Sequence, residues 1–161
     1  MSISEKMGTF AKAAQQRISL LTGTTQIAQA AAVCYREADG MRLVLVISSR
    51  KSGKFGLPKG NIDPGETSAI AAAREAYEEA GVMGIASDTV LSTFSYHKEG
   101  RRIRRHVAVH PLKVSATTPH FPEAGERALE WLPLAAAADR VSEPALKALL
   151  GDIADGTIVL S

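Results

Sequence analysis

Two stretches rich in Val, Ile, Leu and Ala, Gln26 to Glu37 and Met41 to Ser48, flank the turn-like Ala38-Asp39-Gly40 and predict a β-hairpin. Lys54 to Leu57 reads as a short strand ahead of a loop from Pro58 to Gly65. The period then changes. Asp63-Pro64-Gly65-Glu66 suits a turn with proline second and glycine third. Thr67 is an acceptable N-cap and Gly81 a helix-ending glycine, so a helix is predicted over Thr67 to Ala80. At about 100° per residue, Ile70, Ala73, Tyr77 and Ala80 share one side, the expected core face. Glu75, Glu78 and Glu79 gather on the other. Val90 to Tyr96 and Ile103 to Val114 predict two more strands around the polar Lys98-Glu99-Gly100. Ala128 to Leu132 predicts a last strand, and Ser142 to Leu150 a short amphipathic helix capped by its serine. Strand pairs with helices between and after them point to a mixed sheet with packed helices, an α/β fold.

The chain has 161 residues, enough for one domain with tails. Residues 1–25 are expected to be a loosely attached extension, with Ala11 to Leu21 helical within it, 26–150 the domain, and 151–161 a C-terminal tail. Hydrophobic residues at 45% and charged residues at 22% exclude wholesale disorder. A net charge of +2 is too small to imply a nucleic-acid partner by bulk charge. Its distribution says more. Arg50, Lys51, Lys54 and Lys59 form a basic block, Asp63 to Glu79 carries five acids against Arg74 alone, and His97 to His106 is basic again. An acidic block between two basic ones suggests a metal beside a polyanion site. The single cysteine, Cys34, sits in an apolar run and reads as a buried, inert thiol. No apolar stretch approaches the roughly 18 residues of a membrane span, and no secretory signal is evident, so a cytoplasmic setting without membrane attachment is expected.

Three glutamates on one helix can be a solvated stripe or a metal site. Like charges at i,i+4 destabilise a helix, and two of them lie towards the C-terminus, where the dipole disfavours them. Hard cations such as Mg²⁺ or Mn²⁺ take such carboxylates and keep positions for water and phosphate. The helix alone does not decide between the two.

Beyond the helix, Gly60, Glu66, Arg74, Glu75, Glu78, Glu79, Gly81 and Val82 fall at the spacing G-x5-E-x7-R-E-U-x-E-E-x-G-U, where U is a bulky aliphatic. This resembles the Nudix box. One position departs, since Ala76 stands where a larger aliphatic is usual. The resemblance runs from about Gln26 to Leu150 and implies the Nudix fold, an α/β/α sandwich with a mixed β-sheet, and a metal-dependent pyrophosphatase. Val46-Ile47-Ser48-Ser49-Arg50, Leu57-Pro58-Lys59-Gly60, the run Glu78 to Gly84 and Glu130-Trp131-Leu132 resemble the diphosphoinositol polyphosphate and diadenosine polyphosphate phosphohydrolases. Lys59 stands where those relatives often carry glycine, and Gln26 to Ala30 lacks their lysines and arginines.

The resemblance implies water attack on a phosphorus of a small-molecule phosphoanhydride, with Mg²⁺, or Mn²⁺ in its place, bridging the phosphates. It makes Glu75, Glu79 and the Gly60 carbonyl metal ligands and Glu78 the base or a further ligand, with Arg74 and Glu66 ordering the carboxylates. Arg50, Ser49, Lys59, Arg102 and Arg104 are the expected substrate-binding residues; strand alternation sends Arg102 and Arg104 to one face and Arg101 and Arg105 to the other. Trp131 reads as core, Tyr96 as a candidate substrate contact, and His97, His106 and His110 as surface or strand residues. Hydrolysis of RNA 5′-triphosphate ends and non-catalytic nucleotide binding are the alternatives. The first lacks aromatics interleaved with Arg101 to Arg105, and the second would be expected to have lost box carboxylates. A monomer or homodimer is expected.

Overall fold

The computed structural model describes residues 25–97 and 102–161. Residues 1–24 of the expected 1–25 extension, with the helix expected over Ala11 to Leu21, the expected Lys98-Glu99-Gly100 turn and Arg101 lie outside the described residues, while Thr25 already belongs to the first strand. In chain order the elements are β1 (Thr25–Ala38), β2 (Met41–Ser48), β3 (Phe55–Gly56), β4 (Lys59–Asn61), α1 (Ser68–Ala80), β5 (Val82–Ala86), β6 (Ser92–His97), β7 (Ile103–Thr117), β8 (Leu129–Pro133), α2 (Leu134–Arg140) and α3 (Pro144–Ala154). The strands form one mixed sheet in the order β3-β2-β1-β7-β5, with β4 on β1, β6 on β7 and β8 on β2. β1 and β7 run parallel from Thr25↔Ile103 to Tyr35↔Lys113, and among the described residues the other strand–strand pairings are antiparallel, apart from a single parallel bridge between Phe55 and Val141. The expected hairpin closes through Asp39 and Gly40, both at positive φ (52° and 73°), the two-residue turn whose twist suits paired strands.

Alternation along β1 divides the interior. Ala30, Ala32 and Cys34 face α1 together with Leu45, Ile47 and Leu112, whereas Ala31, Val33 and Tyr35 face α2 and α3 with Val44, Val46, Val107 and Val109. Helices cover both faces, which gives the α/β/α sandwich and explains the unbroken apolar run of β1. Among the described residues no helix is long and apolar enough to cross a membrane.

Several expectations need correction. The packed side of α1 is not the Ile70–Tyr77 side, since those residues are 56% and 39% exposed. Alanine does the packing. Ala69, Ala72, Ala76 and Ala80 are buried against Ala30 and Ala32, which lets helix and sheet approach closely and takes Glu75 and Glu79 out of solvent as well. The small Ala76 belongs to this contact. His110 lies on a strand, β7, as one side of its reading had it, and is buried there: 1% exposed, it bonds the Ser68 hydroxyl and the Ser87 carbonyl, each at 2.8 Å, and anchors the start of α1. β4, β5 and α2 gave no sequence signal. α3 begins at Pro144 with Glu143, not Ser142, as its cap, and it runs past residue 150; Leu160, in the expected tail, is buried.

Candidate active site

Two short pieces of backbone hold the box residues. Thr67 Oγ1 accepts the Ile70 N–H at 3.2 Å and starts α1, and Gly81 ends it at φ 67°. Gly81 has no room for a side chain, since a Cβ would lie 2.3 Å from the Thr118 carbonyl and 2.5 Å from the Phe121 ring.

The second piece is β4. The bonds Ala32 N–H to Pro58 O and Ile62 N–H to Ala28 O bracket the Ala30↔Gly60 pair. Antiparallel alternation therefore turns the Gly60 backbone groups towards β1 and those of Lys59 and Asn61 towards the open edge. Two contacts agree: Lys59 N–H donates to Glu79 Oε1 at 3.2 Å, and the Asn61 carbonyl accepts from Arg74 Nη2 at 2.9 Å. The carbonyl facing the glutamates is thus that of Lys59, not Gly60 as expected. Gly60 matters for its missing side chain, because a Cβ there would stand 2.2 Å from the Glu75 carboxyl carbon.

Arg74 is the hub of the acids. It grips Glu66 through two bonds of 2.9 Å, reaches Glu75 at 2.8 Å and Glu78 at 3.3 Å, and lies 3.5 Å from Asp63. The Arg74 hydrogen bonds hold the Glu66 carboxyl below its usual range despite some burial, with the Asp63 N–H helping. Glu66 first, then Glu75, push the Arg74 guanidinium further above its already high range. Glu75 and Glu79 are buried at 9% and 4% exposure, while the Glu78 side chain is 37% exposed.

Glu79 has a partner no local pattern announced. Arg127 Nη2 sits 2.9 Å from Glu79 Oε2 and 3.4 Å from Glu123, and Arg50 pairs with Glu123 at 3.1 Å. Charges therefore alternate from Arg50 through Glu123 and Arg127 to Glu79, and again from Glu75 through Arg74 to Glu66. The alternation fails once, where the Glu79 carboxyl neighbours that of Glu75 and is raised by it. Burial, opposed by Arg127 and reinforced by Glu75, pushes the Glu79 carboxyl up to about 8. This junction fits a divalent cation. Among the described residues no three His, Cys, Asp or Glu side chains form a closed cage, but Mg²⁺ is usually held by one or two carboxylates with water and phosphate completing its shell.

The expected phosphate-binding residues do not all converge. Arg50 is engaged by Glu123 and, at 3.6 Å, Glu126. Ser49 belongs to the turn after β2, its hydroxyl 3.5 Å from the Ser52 N–H. Arg102 and Arg104 are exposed at the start of β7. Arg104 pairs with Gln26 and His97, four residues or roughly 13 Å along the strand from Ala108, the neighbour of Ala30 and so of Gly60. Lys59 does find company, on the opposite sheet face from α1. Its ammonium is 5.2 Å and the Arg105 guanidinium 5.8 Å from the Tyr96 ring centroid, and the Tyr96 hydroxyl donates to Gln29 at 2.8 Å. Trp131 is half-buried under the Arg36 guanidinium, 4.0 Å from its ring centroid.

Comparison with known proteins agrees with this architecture. A family model described as NUDIX domain matches residues 26–150. Diphosphoinositol polyphosphate phosphohydrolase 2 of Rattus norvegicus is 45% identical over 56 residues, 35% of this chain and 31% of that protein. Nudix hydrolase 21, chloroplastic, of Arabidopsis thaliana is 36% identical over 110 residues, 64% of this chain and 52% of that one. The chain thus spans 31% and 52% of the length of these two curated relatives. Among solved structures, the C. elegans Ap4A hydrolase superposes with a TM-score of 0.66 at 22% identity, over 82% of this chain and 98% of its own. The NUDIX domain of Shewanella oneidensis NrtR, solved with ADP ribose, gives 0.64 at 18% identity, over 89% and 99%.

Proposed function

The chain belongs to the Nudix family, and from that membership we propose that it is a divalent-cation-dependent pyrophosphohydrolase. Its reaction is attack of water on a phosphorus of a phosphoanhydride, in a dinucleoside polyphosphate or a diphosphoinositol polyphosphate. The observation that carries this reading is the buried Glu75–Glu79 junction, the one break in an otherwise alternating chain of charges. Glu75, Glu79 and the outward Lys59 carbonyl are the groups that would hold Mg²⁺, or Mn²⁺ in its place. Bound there, the cation supplies charge neutralisation on the phosphate oxygens.

The remaining roles belong to the chain's own side chains. Glu78 is the base in this reading. It is the most exposed of the three glutamates, and its carboxylate's one partner among the described residues, Arg74 at 3.3 Å, leaves an oxygen to take a proton from water. Arg74 keeps Glu66, Glu75 and Glu78 in fixed relation, so the carboxylates need not reorganise when substrate arrives.

The Lys59–Tyr96–Arg105 cluster supports a substrate with phosphates beyond the reacting pair. Neither cation has an acidic partner among the described residues, and Arg105 Nη1 is buried without a hydrogen bond. Two cations that share the Tyr96 ring, one of them on the residue whose backbone faces Glu79, suit a long polyphosphate better than a plain diphosphate. A phosphate-release screen with Mg²⁺ across diadenosine polyphosphates, diphosphoinositols, nucleotide sugars and triphosphorylated RNA tests the assignment. Turnover of the first two groups, abolished by chelation, is expected. Turnover confined to the RNA, or none with any substrate, would overturn it.

A further inference from the structure

Arg127 lies outside the box, in the irregular segment between β7 and β8, yet the fold fastens that segment on two sides. Thr118 and Glu123 donate backbone N–H groups to the Gly81 and Glu78 carbonyls at the end of α1, at 2.9 and 3.0 Å. Ala128 N–H donates to the Ser48 hydroxyl and its carbonyl accepts from Ser48 N–H, at 2.9 and 3.0 Å. Between these anchors the Arg127 guanidinium reaches inward, Nη2 to Glu79 and Glu123 and Nη1 to the Ser48 carbonyl at 3.2 Å. Its side chain is only 13% exposed, and its Nε is buried without a partner among the described residues.

A buried arginine with one donor unanswered is a poor stabilising device, since apolar residues of similar volume often do as well. Its geometric effect is specific. Glu79 Oε2 is held by Arg127 and Oε1 by the Lys59 N–H, so the plane of this carboxylate is fixed from the side away from α1. We propose that Arg127 is a positioning residue for Glu79, setting the orientation in which Glu79 meets the divalent cation, and that through Glu123 it ties this orientation to Arg50 on the turn after β2. The inference rests on the metal reading given above.

The test is Mn²⁺ binding to the whole chain, followed by titration calorimetry and electron paramagnetic resonance, with thermal unfolding of the metal-free protein alongside. Removing a group that orients a ligand typically weakens metal affinity by 10–100-fold. Arg127→Met, which keeps the apolar stem, should show that loss while remaining folded. Arg127→Lys, which keeps the charge but not the two-nitrogen fork, should lie between it and the wild type. Because Arg127 acts through Glu79, adding Arg127→Met to Glu79→Gln should weaken binding no further. Unchanged or tighter Mn²⁺ binding in either Arg127 variant, or full additivity in the double variant, overturns the proposal. Should Arg127→Met fail to fold, Arg127→Lys decides alone. A wild-type chain that takes up no Mn²⁺ overturns the metal reading itself, and this inference with it.

Discussion

Replacing Gly60 with alanine separates the site from the scaffold more cleanly than removing a carboxylate. The new Cβ would lie 2.2 Å from both Cδ and Oε1 of Glu75. Ordinary contacts begin near 3.5 Å, so the Glu75 carboxylate must retreat by about 1 Å or more. It is the end of a flexible side chain, so the backbone can stay where it is. The retreat costs the 2.8 Å bond from Arg74 and opens the junction with Glu79. One charge-assisted hydrogen bond is worth about 1.5–3 kcal/mol. Relief of the Glu75–Glu79 repulsion offsets part of that, and the melting temperature should fall by only a few degrees. Activity should suffer far more, since a 1 Å misplacement in a catalytic site can cost about 100-fold. Gly84→Ala is the control. Its Cβ would stand 2.4 Å from the Lys113 backbone carbonyl, which cannot swing aside, so that variant should lose stability and keep its activity per folded molecule. Phosphate-release kinetics and thermal unfolding on both proteins give the answer. A well-folded Gly60→Ala enzyme with kcat/KM within about twofold of the wild type would refute the placement of Glu75.

Three further outcomes follow from the same geometry. The Glu79 carboxyl is raised from 4.5 to about 8, so its contribution to metal-free stability is complete below about pH 4.5 and is lost as pH rises through 8, at no more than about 1.4 kcal/mol per pH unit. Glu79→Gln should flatten that decline in chelator-treated protein while abolishing turnover, and an unchanged pH slope would count against the upward shift of the buried Glu79 carboxyl. Lys59→Met and Arg105→Met should each raise KM for a diadenosine polyphosphate about tenfold with kcat little changed; if KM stays put across a series of chain lengths, the pair is only surface. Burial pushes the Cys34 thiol up to about 12, so iodoacetamide at pH 8 should leave the folded chain unmodified and label it only in denaturant.

The acidic centre was legible because its parts are local: one helix, its cap, its terminal glycine and the preceding loop carry Glu66 to Gly81 in fixed spacing. The side that packs was not. An apolar face read by residue size favours Ile70 and Tyr77, whereas close approach of α1 to the sheet favours alanine on both partners, and buried glutamates follow from that approach. Partners contributed across the sheet left no periodic trace. Arg127 sits in an irregular segment. The placing of Arg105 rather than Arg102 or Arg104 beside Lys59 depends on which sheet face the odd-numbered positions of β7 occupy; Val107 and Val109 put them on the side of α2 and α3. Strand alternation separates the two sets, but only the assembled sheet says which set meets Tyr96.

The division of labour at Lys59 follows from strand geometry. Backbone N–H and C=O groups lie in the plane of a sheet and side chains stand perpendicular to it. A residue on an edge strand therefore addresses the edge with its backbone and a face with its side chain. Among the described residues β4 pairs only with β1, so Lys59 offers its N–H to Glu79 at the edge and its ammonium to Tyr96 across the face. Substituting the side chain leaves the contact with Glu79 in place, which is why Lys59→Met is expected to change KM rather than kcat. The same geometry explains how a position where relatives often carry glycine can hold lysine here: on the edge side the residue contributes only backbone, and its side chain adds a cation on the face away from α1.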